Sequence, residues 1–170
     1  MALNNKITEL SLLTAVGIIF FTVETVLPNP VPFFRLGLAN IVTIIVIKRW
    51  GAINAVLVLF SRIILGSLVT GKIFTPLFIM SVAGGSASLV IMFLLIKYFP
   101  EKVSLVGVSV AGASVHNIVQ LYIANCLFIK SVYIISILPV FLFTSIFSGA
   151  LVGISTIYSL RIIDQKIKKY

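Results

Sequence analysis

Few side chains in this sequence can do chemistry, and most of those stand inside long apolar runs. Arg62 lies in the middle of one such run, Glu24 near the end of another, Asn40 at the start of a third, and His116, Asn117 and Gln120 interrupt a fourth at its centre. Placing an ionisable group in hydrocarbon costs about 2.5 kcal/mol or more, so each of these residues must face a protein interior and find a partner there. The planar guanidinium of Arg62 suits two-point recognition of a carboxylate or phosphate, and it is equally able to tie helix carbonyls together. His116 and Gln120 are four apart and project from one helix face, which Gly112 extends by a turn while leaving space beside it. With Asn117 they outline a small polar pocket for a ligand, or an interhelical hydrogen-bonded contact. One histidine and one cysteine cannot assemble a zinc site, so no metal is expected.

Glu24 precedes Pro28, Asn29, Pro30, Val31, Pro32, Phe33, Phe34 and Arg35. Three prolines in five residues remove backbone donors and hold the chain extended, so this segment reads as a stiff, structured loop. Leu36-Gly37-Leu38-Ala39-Asn40 follows at once, so the next helix opens with an amide already at the membrane boundary. Glu24 is placed to pair with Arg35 or Arg62. Glu24, Arg35, Asn40, Arg62, His116, Asn117 and Gln120 are accordingly the candidate substrate-binding residues, with Pro28, Pro30, Pro32, Phe33 and Phe34 as the lid over them.

The elements that must position these residues follow from composition. Of 170 residues 60% are hydrophobic and only 10% charged, with a mean hydropathy of +1.22, whereas a soluble domain carries about 25% charged residues. A membrane span needs roughly 20 apolar residues. Punctuation by Pro, Gly and charge predicts an all-α bundle of about six transmembrane helices in a single domain, over residues 8–27, 36–47, 52–70, 76–97, 103–128 and 132–160, with a short cytoplasmic tail at 161–170. The sixth block contains Pro139 and is expected to be kinked or tilted. The first run leads into Pro28-Asn29-Pro30 rather than a small-residue cleavage site, and reads as a retained helix.

Small residues mark the packing faces: Gly84, Ser88 and Gly112, and Gly149 with Gly153 at four-residue spacing. Cys126 reads as a small buried residue. The net charge of +9 arises from basic residues spread thinly between apolar runs, which excludes a nucleic-acid-binding face. Lys6, Lys48, Arg49, Lys97, Lys102, Arg161, Lys166, Lys168 and Lys169 fall on one side of the predicted topology and outnumber Arg35, Lys72 and Lys130 on the other. The bias toward positive charge in the cytoplasm therefore puts both termini in the cytoplasm of a multi-pass cell-membrane protein, with Trp50 and Tyr98 in the interfacial belt.

Taken together, Glu24, the Pro28 to Pro32 segment, Arg35 running into Leu36-Gly37-Leu38-Ala39-Asn40, Arg62 with Gly66 and Gly71, and Gly112 with His116 and Gln120 resemble the Gx transporter family. Its members are often labelled heptaprenyl diphosphate synthase component I. That family is similar to the substrate-binding S components of energy-coupling-factor vitamin transporters. The resemblance implies a six-helix S-component-like fold, with a ligand site at the outer helix ends and the proline loop as its cap. It also implies partnership with an energising ATPase module, although the first helix lacks the two alanines four apart with which S components meet that module.

The enzymatic part of the label meets a physical objection. Prenyl diphosphate synthases hold magnesium on a diphosphate with clustered aspartates, whereas the acids here are Glu9, Glu24, Glu101 and Asp164, far apart in sequence. The chain is not expected to be an enzyme on its own. The leading expectation is a membrane substrate-binding or transport component for a small polar or anionic metabolite. The alternatives are an accessory subunit of polyprenyl diphosphate or quinone metabolism beside a soluble prenyl synthase, and a component of a membrane electron-transfer assembly. No cofactor is expected in the first case; in the last, a flavin or quinone would bind noncovalently, because no haem-attachment or dinucleotide motif is present.

Overall fold

The computed structural model describes residues 2–26 and 36–167. Every regular element among them is helical: α1 (Ala2–Val26), α2 (Asn40–Val69), α3 (Pro76–Tyr98), α4 (Leu105–Ala124) and α5 (Leu138–Ile167), with a π-helical turn at Asn125–Ile129 and a 3₁₀ stretch at Val132–Ile137 joining α4 to α5. Five helices are long and apolar enough to cross a bilayer. Their outward surface is apolar as well: Leu57, Val69 and Leu151 are 63%, 70% and 65% exposed. Soluble monomers rarely present large contiguous apolar patches, so this surface belongs in lipid and the chain is a multi-pass membrane protein.

Five elements meet the length and composition of a span where six were expected. The blocks expected at 36–47 and 52–70 are both helical and run together as α2 across a reversal at Gly51, where φ is 82° and ψ is −178°. The reversal is visible in the side chains. Arg62 and Asn40 are 22 residues apart yet hydrogen-bonded at 3.3 Å, whereas a straight helix would separate them by about 33 Å. Gly51 lies midway between them, so α2 is a helical hairpin with arms over 40–50 and 52–69. The first arm is about 16 Å long at 1.5 Å per residue, too short to cross a hydrocarbon layer of about 30 Å. It is instead enclosed by the bundle: Asn40 through Ile47 are all buried.

Around this hairpin α1 packs on α2, and α4 lies between α3 and α5. Small residues set the α4–α5 approach. A Cβ on Gly149 would stand 2.6 Å from Val110 Cα, and one on Gly153 2.6 Å from Val106 Cα, so the expected glycine pair does bring two backbones together. Gly112 likewise makes room for Met92 and Ser88 of α3. The core is aliphatic, centred on Ile44, Val46, Leu59, Ile63, Leu89 and Met92. By contrast α1 is peripheral, with 17% of its membrane-length stretch buried against 44% for the α4 region.

Several boundaries differ from the sequence expectation for identifiable reasons. Residues 36–39 form a turn, and α2 starts at Asn40, because Gly37 adopts φ +77°. Pro139 does not kink a helix: it falls in the first turn of α5, where its missing N–H is not needed. The tail expected from residue 161 is helical through Ile167. Cys126 is exposed rather than buried, because the π-helical turn carries it to the outside of the bundle.

Candidate functional site

The local structure of the Leu36–Asn40 strip explains its composition residue by residue. Gly37 turns the chain at positive φ, and the Asn40 and Ile41 N–H groups close the turn on Gly37 O at 2.8 Å and Leu38 O at 3.1 Å. The Leu38 N–H donates to Glu24 Oε1, so the end of α1 is fastened to the approach of α2. Arg62 Nη1 donates to Ala39 O and Nη2 to Asn40 Oδ1, tying the second arm of the hairpin to the start of the first. At the same end of α1, Lys72 Nζ donates to Thr25 O at 3.0 Å, a cation placed on the C-terminal carbonyls of a helix.

Glu24, Asn40, Arg62 and His116 line one cavity together with Phe21, Gly37, Ala39, Ile63, Ser81 and Gly85. The polar members are embedded: Glu24 is 5% exposed, Asn40 4%, Arg62 3% and His116 8%. The carboxylate of Glu24 and the guanidinium of Arg62 therefore face the same enclosed space, where opposite charges offset part of each other's desolvation. The cavity measures about 20 Å³, room for about one water molecule.

Gln120 lies one turn along α4 on the same face as His116. A Cβ at Gly84 of α3 would meet Gln120 Cγ at 3.1 Å and the His116 carbonyl oxygen at 3.2 Å, so Gly84 is what allows this polar face to close on α3. Gln120 Oε1 is buried and has no hydrogen-bond partner among the described residues. Asn117 turns the other way: its Nδ2 donates to Ser145 Oγ of α5 at 2.8 Å, while its Oδ1 is buried and without a partner among the described residues. Asn117 thus leaves the pocket assigned to it and joins the α4–α5 contact, because adjacent helix positions point about 100° apart. Arg35 and the lid residues Pro28, Pro30, Pro32, Phe33 and Phe34 lie outside the described residues, and with them the Glu24–Arg35 pair.

Ser81 and Gly85 escaped the sequence reading. Both belong to the small-residue run Ser81-Val82-Ala83-Gly84-Gly85, in which Ser81 Oγ bonds to Leu77 O at 2.6 Å. Small residues on an apolar helix signal close packing without showing that a polar cavity lies across from them.

Two further spaces are larger. A groove of about 430 Å³ runs between α1 and the second arm of α2, past Ser11, Thr14, Asn54 and Ser61. Another, about 520 Å³, is floored by Ile41, Val42 and Ile45 of the first arm and walled by α1 and α5. Among the described residues no group of three or more His, Cys, Asp or Glu side chains is arranged to hold a metal.

No curated protein and no solved structure matches this chain. A family described as heptaprenyl diphosphate synthase component I matches residues 13–159, from the middle of α1 almost to the end of α5, and includes every residue that lines the Glu24–Arg62 cavity. This multi-pass membrane chain therefore belongs to the heptaprenyl diphosphate synthase component I family.

Proposed function

We propose that this chain is a non-catalytic membrane component that binds a small polar or anionic metabolite in the bundle interior, in the manner of the S components it resembles. One observation carries the reading: Glu24, Asn40, Arg62 and His116, drawn from α1, both arms of α2 and α4, converge on one buried cavity. A membrane interior is an expensive place to gather an acid, a guanidinium, an imidazole and an amide. Gln120 Oε1, buried beside His116 without a partner among the described residues, is an acceptor that a ligand donor would satisfy. The cavity admits about one water, so a metabolite enters only if helices part. The peripheral α1, held at its end by Glu24 and Lys72, is the element with least packing to lose. In this proposal Arg35 and the proline segment cover the entrance, and the basic residues at the hairpin turn and the two helix termini face the cytoplasm of the cell membrane. Coupling to an ATPase module belongs to the same reading.

A second reading is favoured by the family description and by the 520 Å³ apolar groove. In it the chain is the membrane partner of a soluble prenyl synthase and shelters an isoprenoid chain between helices.

Native mass spectrometry of detergent-purified protein tests the first reading. A co-purifying metabolite should be retained by the parent protein, weakened in Arg62→Lys and lost in Arg62→Gln, since an ammonium lacks the two-point fork. The structural role of Arg62 also makes a separate contribution: Arg62→Gln should lower stability by about 1–2 kcal/mol, the upper range for a polar contact between membrane helices. A folded Arg62→Gln protein that keeps full ligand occupancy would remove Arg62 from the site.

A further inference from the structure

The polar lining of the Glu24–Arg62 cavity comes in two parts that are held differently. On the α2 side, Arg62 Nη1 and Nη2 are fixed on Ala39 O and Asn40 Oδ1, and the Asn40 and Ile41 N–H groups close the turn on Gly37 O and Leu38 O. These bonds join the hairpin and its approach to each other and need nothing from α1. Glu24 is the polar contribution of α1, its Oε1 accepting from the Leu38 N–H. Of the four acids in the chain it alone is buried. It stands on the least enclosed helix, with 17% of the membrane-length stretch buried against 39–44% for the other four.

A backbone N–H and a guanidinium beside one enclosed space are what a free carboxylate needs for charge-assisted recognition, and here the chain's own carboxylate takes that place. With it there, about 20 Å³ remains. Charge decides what can replace it. Exchanging one carboxylate for another leaves the buried charge unchanged. A neutral molecule would leave the Arg62 guanidinium uncompensated, and a dianion would add a charge that only a protonated His116 could offset among the groups lining the cavity.

We infer that Glu24 is an internal stand-in for a ligand carboxylate: a carboxylate-bearing metabolite binds at the Leu38 N–H and Arg62 by displacing Glu24, and the end of α1 moves away with it. The α2 half of the site keeps its shape because its own bonds hold it. Lys72 Nζ, 3.0 Å from the carbonyl of the adjoining Thr25, offers the displaced carboxylate a cation at the same end of α1. The inference rests on the reading of this cavity as a ligand site and names the class of ligand: a carboxylate, held where the chain holds its own.

Glu24→Ala removes a fragment the size of acetate, so acetate is the probe and acetamide its neutral counterpart, applied to the full chain in detergent at neutral pH. Acetate should raise the Tm of Glu24→Ala saturably, by about 3–6 °C at ten times the half-saturating concentration, and acetamide should not. Should Glu24→Ala not fold alone, recovery of monodisperse protein in acetate but not in acetamide reads the same site. Glu24→Ala combined with Arg62→Gln, in which neither buried charge remains, should not respond. Displacement itself is read in Glu24→Gln, whose side chain has the same length and still offers the Leu38 N–H an acceptor, without the charge. Acetate should stabilise this variant at concentrations that leave the parent unchanged. Equal effects of acetate and acetamide, a response that survives loss of Arg62, or equal stabilisation of the parent report filled volume or a general salt effect and overturn the inference. Acetate that rescues Glu24→Ala but leaves Glu24→Gln unaffected marks a carboxylate fixed as architecture, and overturns it too. None of these arms uses the native ligand, so their failure leaves a metabolite found by native mass spectrometry standing. A parent that carries no metabolite while the acetate arms succeed would fail the earlier reading alone.

Discussion

Replacing Gly51 by alanine isolates the backbone contribution to this fold. A Cβ at Gly51 meets nothing within 4 Å, so the substitution has no steric neighbour to disturb. What it does meet is its own backbone: φ 82° with ψ −178° lies in a region that is essentially confined to glycine, and holding another residue there costs about 1–3 kcal/mol. Gly17 supplies the contrast. It lies inside α1, its φ is not positive, and its nearest neighbour to an added Cβ is Arg62 Cδ at 3.5 Å, an ordinary contact. Gly17→Ala should therefore be neutral or stabilise by up to about 1 kcal/mol, the helix-propensity gain of alanine over glycine. For a chain of this size 1 kcal/mol corresponds to about 2–4 °C in Tm, so Gly51→Ala should melt about 2–12 °C below the parent and Gly17→Ala at or slightly above it. Thermal unfolding in detergent, followed by fluorescence of the adjacent Trp50, reads both. If Gly51→Ala melts with the parent, or the two variants shift in the same direction by the same amount, the chain does not reverse through a glycine-only conformation and the hairpin is wrong.

Three other outcomes are expected. Gly153→Ala and Gly149→Ala each place a Cβ 2.6 Å from an α4 backbone carbon, so both should lose about 1–3 kcal/mol through forced separation of α4 and α5, measurable as a lower Tm; parent-like melting would show that the helices do not touch there. With Cys126 replaced, a cysteine introduced at Val31 should react with an impermeant thiol reagent in intact cells while one at Lys102 should not; the reverse labelling would invert the orientation read from the basic residues. Purified protein given allylic and homoallylic diphosphates should form no elongated product, because it lacks clustered carboxylates for magnesium; robust elongation without a partner would overturn the non-catalytic assignment.

How much of this was legible in the residues can be seen at particular positions. The apolar runs announced membrane helices because hydrocarbon forces every backbone donor and acceptor to be satisfied within the segment, a constraint that length and composition alone reveal. The Gly149/Gly153 contact was legible for a related reason: close approach of helices in lipid demands small residues at one-turn spacing. Arg62 announced its burial through its depth in an apolar run. Its partners were not announced: the gap between the blocks at 36–47 and 52–70 makes the chain double back, but not which carbonyl and amide of the first arm come level with Arg62.

Tertiary structure alone decided three matters. It enclosed the short first arm of α2, burying Asn40 through Ile47, because α1, α3 and α5 pack around it. It separated Asn117 from His116, sending one to α5 and keeping the other at the Glu24–Arg62 cavity, because neighbouring positions on a helix face different partners once the packing angle is set. And it placed Arg49 and Trp50 beside Glu9 of α1 and Ile163 of α5, two helices distant in sequence whose juxtaposition no local pattern encodes. Residue type specifies what must be buried; only the path of the backbone specifies against what.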